Sequence, residues 1–338
     1  PGERLGRACE RRVVTRAATG RRREASGMTD ADLRYHVDGD LVPAGEATVS
    51  VHDRGFLYGD AVVEILRAYG GEVFRWDAYA DRIDASSAAL SIDHGHAPAE
   101  LKRRVDATLA ANSLDDAGIR LSITRGSGPP GDAGFGVGAP PSPGDSDPTV
   151  VVQVLPLPRG GVDGDPVWDD PAALQTVKPR RIPDESIPAR ARTHNVLDRV
   201  LARAELRASD ADEAVMLDGD DHVVGGAGGS VFFLDGDALC TPSLDGPVVP
   251  GVLRDVVLDV ADAEGIPVRE GAFTPADLRE ATEAFVATPA WGLRPVATVD
   301  GIDVGGGPAT TLLRRVVDRQ IERDHYADPE PDGHNRHA

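Results

Sequence analysis

The stretch Ile187-Pro-Ala-Arg-Ala-Arg-Thr-His-Asn-Val-Leu-Asp-Arg-Val-Leu-Ala-Arg-Ala-Glu-Leu206 constrains the fold more than any other part of the chain. Its second half has the period of a helix: Val196, Leu197, Val200, Leu201 and Leu206 recur on one face, with Asp198, Arg199, Arg203 and Glu205 between them. Thr193 and Asn195 are good cap residues, so the backbone is expected to turn here from an extended segment into that helix.

The remaining elements are read from period and turn chemistry. Asp38-Gly39 between two short apolar runs predicts a hairpin. A Gly-bearing turn leads into a buried strand over Val62 to Ala68, followed by amphipathic helices over Trp76–Ala89 and Pro98–Asn112 and a strand over Gly118–Gly126. Residues 127–148 are rich in Gly, Pro and Asp and read as a linker between an N-terminal unit (28–126) and a C-terminal unit (149–323). The second unit is expected to open on a strand at Thr149 and to continue with a strand over Ala173–Val177. Further strands follow near Glu213, Val231 and Glu283, with helices over Pro250–Glu264, Thr274–Ala281 and Thr310–Arg323 and a polar tail over 324–338.

Bulk properties exclude several classes. The 338 residues suffice for about two domains, and no apolar run is long enough to span a bilayer. Formal charge is −20, from 56 acidic against 36 basic residues, which argues against nucleic-acid binding because phosphate neutralisation needs a basic face. Lysine occurs only as Lys102 and Lys178, and the acid-rich, lysine-poor composition is that expected of a salt-adapted cytoplasmic protein. Cys9 and Cys240 offer no disulfide framework. Residues 1–27, with eight arginines and three glutamates, are unlike the rest; they are expected to lie outside the fold, with Met28 as the start. The histidines His94, His96, His325, His334 and His337 have no accompanying ligand cluster, so no metal site is expected.

Several segments, in consistent order over about residues 34–322, are similar to the class IV aminotransferases. These are the fold-type IV pyridoxal 5'-phosphate enzymes, which include branched-chain and D-amino acid aminotransferases and aminodeoxychorismate lyase. Asp53, Gly55, Tyr58, Gly59, Asp60, Glu64 and Arg67 match one family pattern, and Arg82 in Tyr79-Ala-Asp-Arg82-Ile83 matches its phosphate-binding arginine. The resemblance implies a two-domain α/β (α+β) architecture with a smaller N-terminal α/β domain and a larger barrel-like C-terminal domain. It also implies a cofactor cleft between them and a homodimer. The function it implies is amino-group chemistry on an amino acid and 2-oxo acid or on aminodeoxychorismate.

The chemistry-bearing positions depart from that pattern. The family's Lys-x-x-Asn-Tyr-Leu, whose lysine carries the cofactor as a Schiff base, stands here as Arg192-Thr-His-Asn195-Val196-Leu197. Gly225 falls where the family has a glutamate against the pyridinium nitrogen, and Val196 where it has a tyrosine. The phosphate cradle Pro-Gly-Ile-Thr-Arg reads Pro250-Gly251-Val252-Leu253-Arg254, so the amides of Val252 and Leu253 remain and the hydroxyl is absent. A second phosphate-site threonine falls at Pro289, with Thr288 beside it. An arginine has no deprotonatable amine at neutral pH, so ordinary transamination is expected to be impaired. Three readings stay open. The first is an enzyme with relocated chemistry, Lys178 or less readily Lys102 serving the cofactor. The second is a non-catalytic homologue binding a small anion through Arg82 and Arg192 or pairing with a partner subunit. The third is a decaying gene.

Overall fold

The computed structural model describes residues 32–127, 138, 140 and 147–327. The leader 1–27, Met28, most of the expected linker and the tail beyond 327, with His334 and His337, lie outside the described residues.

The first half of the chain builds one sheet. Strands β1 (Arg34–Val37) and β2 (Asp40–Pro43) form the predicted hairpin, and its turn residues Asp38 and Gly39 have φ of 47° and 105°. That left-handed pair matches the twist of two antiparallel strands. Helix α1 (Arg54–Tyr58) is capped by Asp53, whose carboxylate accepts the Gly55 amide at 2.7 Å and the Thr124 hydroxyl at 2.7 Å. Next come β3 (Ala61–Tyr69), β4 (Glu72–Val73), α2 (Trp76–Leu90), α3 (Pro98–Ala111), β5 (Ala117–Thr124) and β6 (Val150–Pro156). The six strands run β2-β1-β6-β5-β3-β4, with the apolar faces of α2 and α3 packed on the sheet through Ile83, Leu101, Val105 and Leu109.

β6 is the strand expected to open the C-terminal unit. It is instead hydrogen-bonded between β1 and β5 in this first sheet, because its alternating apolar residues Val150, Val152 and Val154 complete that core.

The second half contributes β7 (Ala172–Arg180), α4 (Leu197–Glu205), β8 (Glu213–Leu217), β9 (Val223–Gly226), β10 (Ser230–Asp235), β11 (Ala238–Pro242) and α5 (Val252–Ala263). It ends with β12 (Val268–Gly271), α6 (Pro275–Glu280), β13 (Glu283–Thr288), β14 (Gly292–Val299), β15 (Ile302–Asp303) and α7 (Pro308–His325). The order β12-β11-β10-β13-β14-β7-β8-β9 curls back on itself: the Val223 amide donates to the Phe273 carbonyl at 2.7 Å, and β9 approaches β10 and β11. The interior of this half-barrel is filled by Val215, Val231, Phe233, Val286 and Val296, while α5 and α7 cover its outer face. The two units share side chains. Val252 of α5 lies in the first core, and Tyr69 and Phe74 lie in the second.

Helix α4 departs from its amphipathic reading. The face expected to pack is turned outward, leaving Leu197, Val200 and Leu201 67%, 55% and 53% exposed. Asp198 and Ala202 are buried instead, because the inward face meets Arg181, which forms an ion pair with Asp198. The expected caps are not used either. Val196 occupies the N-cap with no side-chain bond, while the Asn195 amide donates across to the Gly59 carbonyl at 3.1 Å.

Candidate active site

The backbone places Arg192 before its side chain acts. The segment leading into α4 runs along the open edge of β3: the Val63 amide donates to the Arg192 carbonyl at 2.8 Å, and the His194 amide to the Ala61 carbonyl at 3.2 Å. The Arg192 amide donates to the Ser86 hydroxyl of α2 at 3.0 Å. Edge carbonyls and amides of β3 that would otherwise be buried without partners are thereby satisfied. Gly59, at φ 70°, lets Asn195 close on the turn: a Cβ there would stand 2.8 Å from Asn195 Oδ1. His194 points away from Arg192 and lies 3.1 Å from the Ser122 hydroxyl; burial, with Arg120 nearby, pushes its pKa down to about 4, so the ring is neutral.

The Arg192 guanidinium lies in the seam between the two sheets. Glu64 of β3, 1% exposed, accepts from Arg82 of α2 at 3.0 Å and stands 3.9 Å from Arg192 Nε. One buried carboxylate therefore serves two cations. Burial raises the Glu64 pKa, and the charges of Arg82 and Arg192 oppose that rise. Burial likewise presses Arg192 downward while Glu64 holds it up. The Arg192 Nε, Arg82 Nε and Glu64 Oε1 atoms are buried without hydrogen-bond partners, so this cluster is under-satisfied.

Burial raises the pKa of Asp255 in the first turn of α5 while the charges of Arg254 and Arg82 oppose that rise, and Val252 of that helix packs in the same core as Ile83, the neighbour of Arg82 in α2. The amides of Val252 and Leu253 open that helix, and a helix N-terminus beside a guanidinium is suited to an anion. Two further close approaches come from β10 and β13. A Cβ on Gly251 would stand 3.2 Å from Ser230 Oγ, and one on Gly229 would stand 2.4 Å from Thr288 Cγ2. Thr288 is buried, and its hydroxyl accepts the Trp291 amide at 2.8 Å. The fold thus brings Arg82 and Arg192 together at Glu64, and sets Gly251, ahead of Val252 and Leu253, beside Ser230, and Gly229 beside Thr288.

It does not bring in either lysine. The cleft beside Arg192 is walled by residues 181–199, Lys178 is exposed on β7, and the Lys102 ammonium pairs with Asp106 at 2.9 Å on α3. Gly225 supplies no carboxylate, and its φ of 126° is a conformation an L side chain rarely adopts. The nearest buried acid of that region, Glu213, is committed to Arg203 at 2.6 Å and to the Ala214 amide at 2.9 Å.

Pyridoxal 5'-phosphate therefore fits in part. The Arg82 and α5 end suits its phosphate, but among the described residues no amine faces the cleft for its aldehyde, and the position expected to hold its ring nitrogen is a glycine. The covalently held cofactor does not fit this donor set.

Sequence reasoning overlooked Glu64 as the shared partner of two arginines, and overlooked Arg181 and Arg199, which line the cleft with Arg192. The run Lys178-Pro-Arg-Arg was a signal of basic residues here, but its direction depends on the strand it ends.

Comparison with known proteins agrees with this architecture. A family model described as amino-transferase class IV matches residues 61–299. A putative branched-chain-amino-acid aminotransferase of Methanocaldococcus jannaschii is 35% identical over 287 residues, covering 85% of this chain and 95% of that protein. The D-alanine aminotransferase of Listeria monocytogenes is 29% identical, covering 86% and 97%. Among solved structures, the branched-chain aminotransferase of Thermoproteus uzoniensis superposes with a TM-score of 0.76 at 28% identity, covering 86% of this chain and 94% of that one. The 4-amino-4-deoxychorismate lyase of Pseudomonas aeruginosa gives 0.70 at 27%, covering 86% and 98%.

Proposed function

This chain belongs to the class IV aminotransferase family, and from that premise we propose that it is a member without lysine-based amine transfer, one that holds a phosphate-bearing small anion non-covalently between its two sheets. The observation that carries this reading is Arg192. It occupies the position of the family's lysine, fixed by Ser86 and by the β3 edge and set against Glu64, while both lysines of the chain lie elsewhere. A primary amine can lose its proton and attack an aldehyde; a guanidinium keeps its proton and has no comparable nucleophile. Glu64 favours the charged form further.

The ligand class carried over from the relatives is an amino acid with its 2-oxo acid, or 4-amino-4-deoxychorismate, together with pyridoxal 5'-phosphate. Each of these carries a carboxylate or a phosphate, which suits Arg82 and Arg192. A cytoplasmic homodimer is part of the same reading, supported by the outward Leu197, Val200 and Leu201 of α4. The segment ahead of that helix bonds the turn after α1 through Asn195 and Gly59, and Phe56 within α1 is 71% exposed.

The test is the visible spectrum of the full chain with pyridoxal 5'-phosphate in high salt, followed by borohydride reduction and peptide mass mapping. The wild type is expected to show no reduced adduct and no amine transfer from a panel of amino acids, whereas Arg192→Lys is expected to give an adduct at position 192. An adduct on Lys178 or Lys102, or turnover at the rate of an active relative, would sink the proposal.

A further inference from the structure

The cleft beside Arg192 has a second basic end, away from Arg82. Its walls carry three guanidiniums, those of Arg181, Arg192 and Arg199, set among the apolar side chains of Ile187, Pro188 and Val196. Carboxylates for them are scarce. Asp198 pairs with Arg181 and also accepts the Ile182 amide at 3.3 Å and the Arg199 amide at 2.8 Å. Glu64 is shared between Arg82 and Arg192, and Glu213 is bound to Arg203. The Arg199 guanidinium has no ion pair among the described residues, and Arg192 Nε has no hydrogen bond. Burial, with Arg192 and Arg181 alongside, lowers the Arg199 pKa.

Clustered cations of this kind repel each other and are expensive to bury unless something negative joins them. Four guanidiniums, including Arg82, draw their ion pairs from two carboxylates, with the charges of Asp255 and Glu213 reaching Arg82 and Arg199 from outside those pairs, and Arg199 is left without an ion pair of its own among the described residues. Apolar walls around charged donors strengthen their pull on an anion. Planar guanidinium forks suit phosphoryl and carboxylate oxygens, which they bind two at a time.

We propose that Arg181, Arg192 and Arg199 form an anion subsite separate from the Arg82 and α5 cradle, and that its ligand is a compact dianion, a phosphate group or a dicarboxylate. The subsite rests on the reading of the cleft as an anion site only in sharing Arg192 with it. The two ends draw on different residues and are separable by mutation.

The experiment is calorimetric titration of the full chain, at constant salt, with inorganic phosphate and separately with malonate. Two phosphates per chain are expected. Arg82→Gln should remove one. Arg199→Gln should weaken the other about tenfold or more, the loss of a charge-assisted bond, while Arg199→Lys, which keeps the charge, retains most of the affinity and shows that the fold tolerates change there. Tighter malonate binding that displaces phosphate assigns the site to dicarboxylates, and the reverse order assigns it to phosphoryl groups. One phosphate, lost in Arg82→Gln and unchanged in Arg199→Gln, overturns the subsite and leaves the cradle standing. One phosphate, lost in Arg199→Gln and indifferent to Arg82→Gln, overturns the cradle and leaves the subsite. Absence of binding to the wild type overturns both.

Discussion

Glu64 is the residue on which the charge balance of the cleft turns. At 1% exposure it faces Arg82 at 3.0 Å and Arg192 at 3.9 Å. Glu64→Gln would leave two guanidiniums close together with no counter-charge, and breaking a buried pair in this way costs about 3 kcal/mol. For a chain of this size that corresponds to a melting point lower by roughly 4 °C. Added phosphate should recover part of the loss in the variant and do less for the wild type, since the anion takes over the missing charge. Calorimetric melting with and without phosphate checks this, and equal recovery in both proteins would count against Glu64 as the counter-ion. Nothing local in the sequence announces the pairing. Glu64 and Arg192 are far apart in the chain and meet only because the segment before α4 runs along β3. Arg82, by contrast, stands in a family motif that makes it an expected anion ligand, and the partner that the structure gives it is Glu64.

At the scale of elements, period told more than direction. The hairpin at Asp38-Gly39 and the helices over Trp76–Leu90 and Pro98–Ala111 follow from local signals, turn residues and spacing, and stand where the sequence puts them. The face of α4 follows from spacing as well, but spacing does not say on which side the partner lies. Leu197, Val200 and Leu201 point outward because Asp198 is drawn inward by Arg181. The sheet membership of β6 was hidden for a similar reason, since strand pairing is decided by non-local partners. Three adjacent exposed apolar side chains on a helix ask for a cover. If that cover is a second copy, Leu201→Glu should shift the protein toward monomer in light scattering without lowering its helical signal, because the side chain is 53% exposed in the single chain. An unchanged molar mass would count against α4 as a surface between copies.

At the scale of the whole molecule, a few specific contacts join the two units. The Tyr326 hydroxyl bonds Asp116, Arg159 pairs with Glu322 at 2.7 Å, and Val252 of α5 packs into the first core. Around this body the excess of acidic residues, 56 against 36 basic, repels itself. At about 0.1 M salt the screening length is about 10 Å and at 1 M about 3 Å, so high salt should relieve the strain. Melting followed by circular dichroism is expected to move upward with potassium chloride, and indifference to salt would remove the case for salt adaptation. One feature of the backbone also bears on the lineage of the molecule. At Gly225 the chain has a φ of 126°, open to glycine and closed to nearly everything else. A codon change at 192 can place an amine in the cleft, but a carboxylate at 225 also needs the backbone of β9 to leave a conformation that L side chains rarely adopt. On the proposed reading, return of the family's chemistry is therefore held back by the main chain as well as by a side chain, and selection acting one substitution at a time meets a step it must climb before any benefit returns.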